Sequence, residues 1–261
     1  MIDGKRFGFQ TVFFDRELLI QTLHNALQFK DKVLVGERIT RINHGENGVE
    51  VVTDKGHAFH GTMVVGADGV HSAVRREMHR IGHRLQPGYF PTDEESRVAC
   101  YNLCSFGIAQ DVPGWVDGDV GGVAGDGVAQ IYASGSKGRV YWFFFYRLPK
   151  AVYGKDIPKC TKEMEAEFVK THGRVPVTTQ VTFGQLFDRR VYSTLTAVHE
   201  HVFKTWFFKR IGTIGDSAHK VCRPKGAGRR TSTDDEPSLI PSLDTAATQP
   251  SKQLPSSSTL F

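Results

Sequence analysis

Three short stretches of this 261-residue chain carry side chains of the kind that grip a charged or polyhydroxylated ligand. The first is Val64-Val65-Gly66-Ala67-Asp68-Gly69-Val70-His71-Ser72-Ala73-Val74-Arg75. Apolar residues deliver the chain to Gly66 and Gly69, where the backbone can turn sharply and approach a ligand closely. A helix that opens just after such a turn starts with amides lacking intrahelical partners, and these favour anionic or oxygen-rich groups. The second stretch is Ile214-Gly215-Asp216-Ser217-Ala218-His219. An Asp at the end of a buried strand accepts hydrogen bonds from a sugar-like polyol, and a charged acceptor contributes about 1.5–3 kcal/mol per bond. The third is Arg16, within Phe14-Asp15-Arg16-Glu17-Leu18-Leu19. Its planar guanidinium suits phosphate oxygens, and a helix N-terminus reinforces such a site.

These residues need elements to hold them. Asp15 is a good N-cap, and Leu18, Leu19, Leu23, Ala26 and Leu27 recur at helical spacing, which predicts a helix over 16–28. Short β-prone runs at 32–35, 38–43, 49–53 and 58–60 are separated by the turn signals Gly45-Glu46-Asn47-Gly48 and Asp54-Lys55-Gly56. They read as a small antiparallel meander that ends in a buried strand over 62–67. A helix over 71–80 follows, then a loop over 82–95. Residues 97–108, 128–134 and 139–148 read as longer strands, with Gly135-Ser136-Lys137-Gly138 as a hairpin turn. A second amphipathic helix covers 158–171, and strand-like pieces return at 177–183, 202–208 and 210–214. Beyond Lys220 the composition turns to Ser, Thr, Pro and Asp without an apolar period, so 221–261 reads as disordered.

Composition narrows the function classes. The apolar fraction is 39% with eighteen Phe, enough for a real core. No apolar run approaches the roughly 18 residues that span a bilayer, and the residues after Met1 are polar, so a cytoplasmic protein without a membrane span in this chain is expected, with membrane association of full-length relatives as the alternative. The net charge of +5 is scattered and not striped, and no aromatic–basic interleaving marks a nucleic-acid surface. Cys100, Cys104, Cys160 and Cys222 form no C-x-x-C pair and read as free thiols. His199-Glu200-His201 is too tight to chelate one metal ion from a regular element, so no metal site is assigned.

The string from Asp68-Gly69 through Ser72 to Arg75 resembles the DG motif of the flavoprotein monooxygenases related to para-hydroxybenzoate and salicylate hydroxylases. Gly215-Asp216-Ser217-Ala218-His219 resembles their GD motif, and Arg16 stands where the family has an Arg opening a helix. The likeness runs from about Gly8 to Lys220. Gly138–Phe143 and Val202–Trp206 look most like fungal members, which epoxidise or hydroxylate prenylated intermediates of meroterpenoid and indole-diterpene pathways. The resemblance implies an α/β (α+β mixed) fold. A partial FAD-binding Rossmann-like domain with its antiparallel meander would occupy 1–90, a mixed substrate-domain sheet 91–200, and a return to the FAD domain 201–220. It implies FAD and NAD(P)H as cofactors and a small-molecule substrate. Arg16, Asp68, Gly69 and Asp216 would contact FAD. No catalytic acid or base is assigned: Tyr132 and Tyr146 lie on strands that could face substrate, but a core or surface role weighs more for each.

Two family pieces have no counterpart in this sequence. A domain of this kind opens with a strand–G-x-G-x-x-G–helix, and the fifteen residues before Arg16 are too few for a βαβ unit of about 30. After Asp216 the family continues with a Pro, a Gly-Gln-Gly-like turn and a helix. Here Val221-Cys222-Arg223-Pro224-Lys225-Gly226 follows. The expectation is a chain truncated at both ends, whose tail reads like a retained intron or shifted frame. The alternatives are a non-catalytic remnant that binds no FAD, and an aromatic-ring hydroxylase of the salicylate hydroxylase type.

Overall fold

The computed structural model describes residues 13–221 apart from Asp126, and within it the chain divides into two compact units. The tail from Cys222 onward and the residues before Phe13 lie outside the described residues.

One unit is built on residues 96–200, together with helix α1 (Arg16–Ala26). Its strands are β5 (Ala99–Gln110), β6 (Val120–Gly125), β7 (Val128–Ser134), β8 (Arg139–Tyr153) and β9 (Arg190–Val202), in the order β9-β5-β8-β7-β6 and antiparallel throughout. Successive side chains of a strand point to opposite faces. On β8, Val140, Trp142 and Phe144 are buried and pack with Phe168 of α3 (Lys162–His172) and with Phe183 and Leu186 of α4 (Phe183–Asp188). The Phe144 ring lies 4.8 Å from Phe183 and 5.3 Å from Phe168, in the edge-on arrangement that aromatic pairs favour. Tyr132 and Tyr146 pack against this same helix-covered core. The alternate residue Phe143 is 37% exposed, and register places it between Ile131 of β7 and Phe106 of β5.

Several sequence expectations change here. Residues 177–183 form no strand but only a Pro176–Thr182 bridge, and Phe183 opens α4. Thr182 and Gln185 make a reciprocal capping box there, which ends the extended stretch. Helix α3 starts at Lys162, where Thr161 accepts the Met164 amide. Strand β9 fills 190–202, where no strand was expected before 202. Asp15 holds the N-cap position of α1 but its side chain caps nothing; the carboxylate takes Arg139 and Tyr141 instead. Helix α1 buries none of its residues.

The other unit comprises residues 29–95 and 201–221. Strands β1 (Ile39–His44), β2 (Val49–Thr53) and β3 (Ala58–Gly61) form the expected antiparallel meander. Residues 32–35 are not a strand; a single 3-10 turn covers Lys30–Lys32. Strand β4 (Val64–Gly66) belongs to a different sheet, in the order β10-β11-β4, with β10 at Phe207–Phe208 and β11 at Ile211–Thr213. Helix α2 (Ala73–Leu85) is longer than expected and buries Val74, Met78 and Ile81 among Ile42, Val49, Phe90, Phe208 and Ile211. Glu77 ties it to the meander by accepting the Ile42 amide at 2.8 Å, and Arg80, paired with Glu77 at 2.7 Å, donates to the Ile42 carbonyl at 2.8 Å. Strand β12 (His219–Lys220) pairs with the last two residues of β9. No helix among the described residues is long and apolar enough to cross a membrane.

Candidate functional site

Strands β4 and β11 run parallel, with Val64, Val65 and Gly66 opposite Ile211, Gly212 and Thr213. The first two chemical stretches therefore leave the sheet side by side, at the C-terminal ends of adjacent parallel strands. That is where open α/β sheets bind ligands. Gly66 is required by packing, because a Cβ there would sit 2.6 Å from the Val74 Cβ. Gly69 is required by conformation: its φ is +80°, and a Cβ would meet nothing within 4 Å.

The start of α2 differs from the expectation of unspent amides. The Asp68 carboxylate accepts the Ala73 amide at 2.6 Å and the Val74 amide at 3.1 Å, and its other oxygen accepts the Ser72 hydroxyl at 2.5 Å. Ser72 is the N-cap and accepts the Arg75 amide at 2.9 Å. Three helix-start donors are thus taken by the motif's own side chains, so this terminus does not offer those amides to a phosphate. Asp68 shapes the turn, and its carboxylate is committed to α2.

The second turn presents its acid outward. Gly215, at φ +58°, opens a 3-10 turn over Gly215–Ser217. The Asp216 side chain is 51% exposed, and one carboxylate oxygen lies 3.0 Å from Lys220 Nζ. A Cβ on Gly215 would again meet nothing within 4 Å, so the space beside Asp216 is open. An exposed carboxylate next to open space fits a hydroxyl-bearing chain such as the ribityl group of FAD.

From beneath, the two turns are joined. Ser217 is fully buried, and its hydroxyl donates to the Gly66 carbonyl at 2.6 Å. The Ile214 amide donates to the same carbonyl at 2.9 Å. Arg75 is 5% exposed and donates to the Ser217 carbonyl at 2.8 Å and the Val70 carbonyl at 3.0 Å. Its guanidinium lies 4.0 Å from the Phe203 ring centroid. Phe203 in turn lies 4.3 Å from the His201 ring, whose Nε2 is 3.1 Å from the Asp216 carbonyl. Burial, then the charge of Arg75, hold His201 down at about 4.

The structure thus brings Asp68, Gly69 and Asp216 to two neighbouring turns. Arg16 is exposed at the first position of α1, in the other unit. In the sequence Arg75 and Ser217 are motif letters without assigned work, and His201 stands out only as a rejected metal ligand. The signal that gives them work is the juxtaposition of β4 and β11, which sequence separation hides. Among the described residues no group of three or more His, Cys, Asp or Glu side chains is placed to hold a metal ion. Cys100 and Cys104 are buried and Cys160 half-buried, all as free thiols; Cys222 lies outside the described residues.

The FAD-dependent monooxygenase penE of Penicillium thymicola is 32% identical over 236 residues, 90% of this chain and 50% of that protein. The FAD-dependent monooxygenase andE of Emericella variicolor is 33% identical over 232 residues, 89% of this chain and 49% of that one. The chain therefore spans about half the length of the curated relatives it matches. Among solved structures, a single-residue variant of Klebsiella pneumoniae HpxO in complex with FAD shares the fold, with a TM-score of 0.60 and 19% identity over 86% of this chain and 55% of that one. No protein-family model matches the chain.

Proposed function

We propose that this chain, 32–33% identical to fungal FAD-dependent monooxygenases over about half of their length, contributes to an enzyme that uses FAD and NAD(P)H to insert one oxygen atom of O2 into a small organic substrate. The observation that carries this reading is the pairing of β4 with β11, which sets the Asp68-Gly69 and Gly215-Asp216 turns side by side. In this reading residues 1–90 and 201–220 supply the flavin-binding part and 91–200 the substrate part.

FAD, when bound, supplies the redox chemistry that activates O2; the protein binds, orients and excludes water. Asp216 accepts a hydrogen bond from a ribityl hydroxyl. Asp68 and Gly69 fix the neighbouring turn, and Asp68 acts through the shape of that turn because its oxygens are already taken. Arg16 offers its guanidinium to phosphate oxygens. The sheet face bearing Ile131, Phe143 and Phe106 is opposite the one that packs on α3 and α4, and it offers an apolar floor for substrate. Such a floor suits a prenylated or aromatic secondary-metabolite intermediate, to be epoxidised or hydroxylated.

Titration of the purified chain with FAD, followed by flavin fluorescence and visible absorption, tests the reading. Saturable binding that Asp216→Ala weakens about tenfold or more supports it. A chain that takes up no FAD overturns it, leaving a protein that keeps the fold without the cofactor.

A further inference from the structure

The grip beneath the Asp216 turn is built from unusual choices. Arg75 is a buried cation whose two terminal nitrogens donate to main-chain carbonyls, while its Nε is buried with no hydrogen-bond partner among the described residues. Desolvating a cation is costly before any compensation, so a residue meant only to fill space would not be Arg. His201 makes one bond, to the Asp216 carbonyl. A carbonyl only accepts, so Nε2 carries the proton and donates. The other ring nitrogen, Nδ1, is buried with no hydrogen-bond partner among the described residues. A buried ring with an orphaned nitrogen is unfavourable unless its other nitrogen is needed. Both side chains pack on Phe203, and each takes one carbonyl of the dipeptide Asp216-Ser217. The Ser217 hydroxyl fixes the same dipeptide to Gly66. The main chain of the turn is held from below, while the Asp216 carboxylate stays half exposed with one oxygen 3.0 Å from Lys220 Nζ.

We propose that Arg75 and His201, braced on Phe203, are positioning residues that set the direction of the Asp216 carboxylate for a flavin ribityl hydroxyl; this rests on the FAD reading above. Neither touches the cofactor. They act on the two carbonyls that fix the peptide planes on the C-terminal side of Asp216. Burial and the charge of Arg75 keep His201 neutral near pH 7, which leaves Nε2–H as its donor.

The test compares His201→Gln, which keeps a donor at similar reach, with His201→Leu, which removes it while keeping apolar volume. In the whole chain, His201→Leu is expected to weaken FAD binding about tenfold, the worth of one well-placed bond, and His201→Gln to stay within about threefold of the parent. In an Asp216→Ala background the same His201→Leu change is expected to add nothing. Amide exchange gives a readout that needs no FAD. The Ile214 and Ala218 amides, bonded at 2.9 Å to the Gly66 and Gly215 carbonyls, should exchange about tenfold faster in the Leu variant and normally in the Gln variant. Equal loss in the Gln and Leu variants would reduce His201 to packing and overturn the proposal. So would an undiminished His201→Leu effect on FAD in the Asp216→Ala background. If the parent chain binds no FAD, the cofactor reading falls, and the exchange comparison alone decides whether His201 holds the turn.

Discussion

Replacing Asp68 with Ala separates two jobs that a carboxylate in this turn could do. In the structure its oxygens receive the Ala73 and Val74 amides and the Ser72 hydroxyl. Removing a capping acceptor costs about 0.5–2 kcal/mol. Losing a negative charge beside a helix N-terminus adds about 0.3–1 kcal/mol. Asp68 is exposed, so water replaces part of what is lost, and the net destabilisation should be about 1–2 kcal/mol. For a chain of this size that is a fall of about 2–8 °C in Tm. The assay is urea unfolding of the FAD-free protein followed by far-UV circular dichroism. Asp68→Asn should recover about half of the loss, since one oxygen still accepts an amide. An Asp68→Ala protein that unfolds at the parental urea concentration would refute the reasoning, because the cap would then carry no stability in the absence of ligand.

Other outcomes follow from the same geometry. Phe144→Ala, on the helix-covered face, should cost about 3–5 kcal/mol in denaturant unfolding, whereas Phe143→Ala next to it should cost well under half of that. Gly66→Ala should destabilise by about 1–3 kcal/mol through the clash with Val74, and Val74→Ala in the same chain should recover part of it. His201 links stability to pH. Its folded value near 4 lies below the ordinary 6.5, so the unfolded chain binds more protons between those values. The stabilisation is complete above the unfolded value and is lost as pH falls toward 4, by up to about 1.4 kcal/mol per pH unit. His201→Gln should flatten that part of the stability–pH curve, and an unchanged slope would show that His201 titrates normally in the folded state.

Much of this fold was legible because its strands carry strong local signals. Val49–Thr53 and Val128–Ser134 are β-branched or aromatic runs bounded by Gly turns, and the structure has strands at those bounds. Strand β9 was hidden because Arg190–Val202 mixes Ser, Thr, His and Glu with its apolar residues, and its strand character comes from pairing with β5. Strand β6 was masked by Gly121 and Gly122, which depress β propensity yet pass close to Gln130 and Tyr132 of the next strand. Helix α4 was overlooked because an apolar run ending at Phe183 looks like a strand until Thr182 and Gln185 are recognised as a cap. The structure corrected what two acidic residues do. Asp68 is spent on its own helix, and Asp15 on Arg139 and Tyr141. Neither exchange can be read from spacing, because each depends on which unpaired donor lies nearest once the chain has folded.

The parallel pairing of β4 with β11 also sets a timetable. Ser217 and the Gly66 carbonyl it holds are 151 residues apart in sequence. At about 5–20 residues per second, the ribosome needs roughly 8–30 s to deliver the second turn after the first has emerged. During that interval β4 has no partner on the edge that β11 will occupy, and Arg75 has no Ser217 carbonyl to meet. Contacts of such long range form late and slow folding. The nascent chain therefore carries an open strand edge until β11 emerges, the kind of edge that recruits other chains.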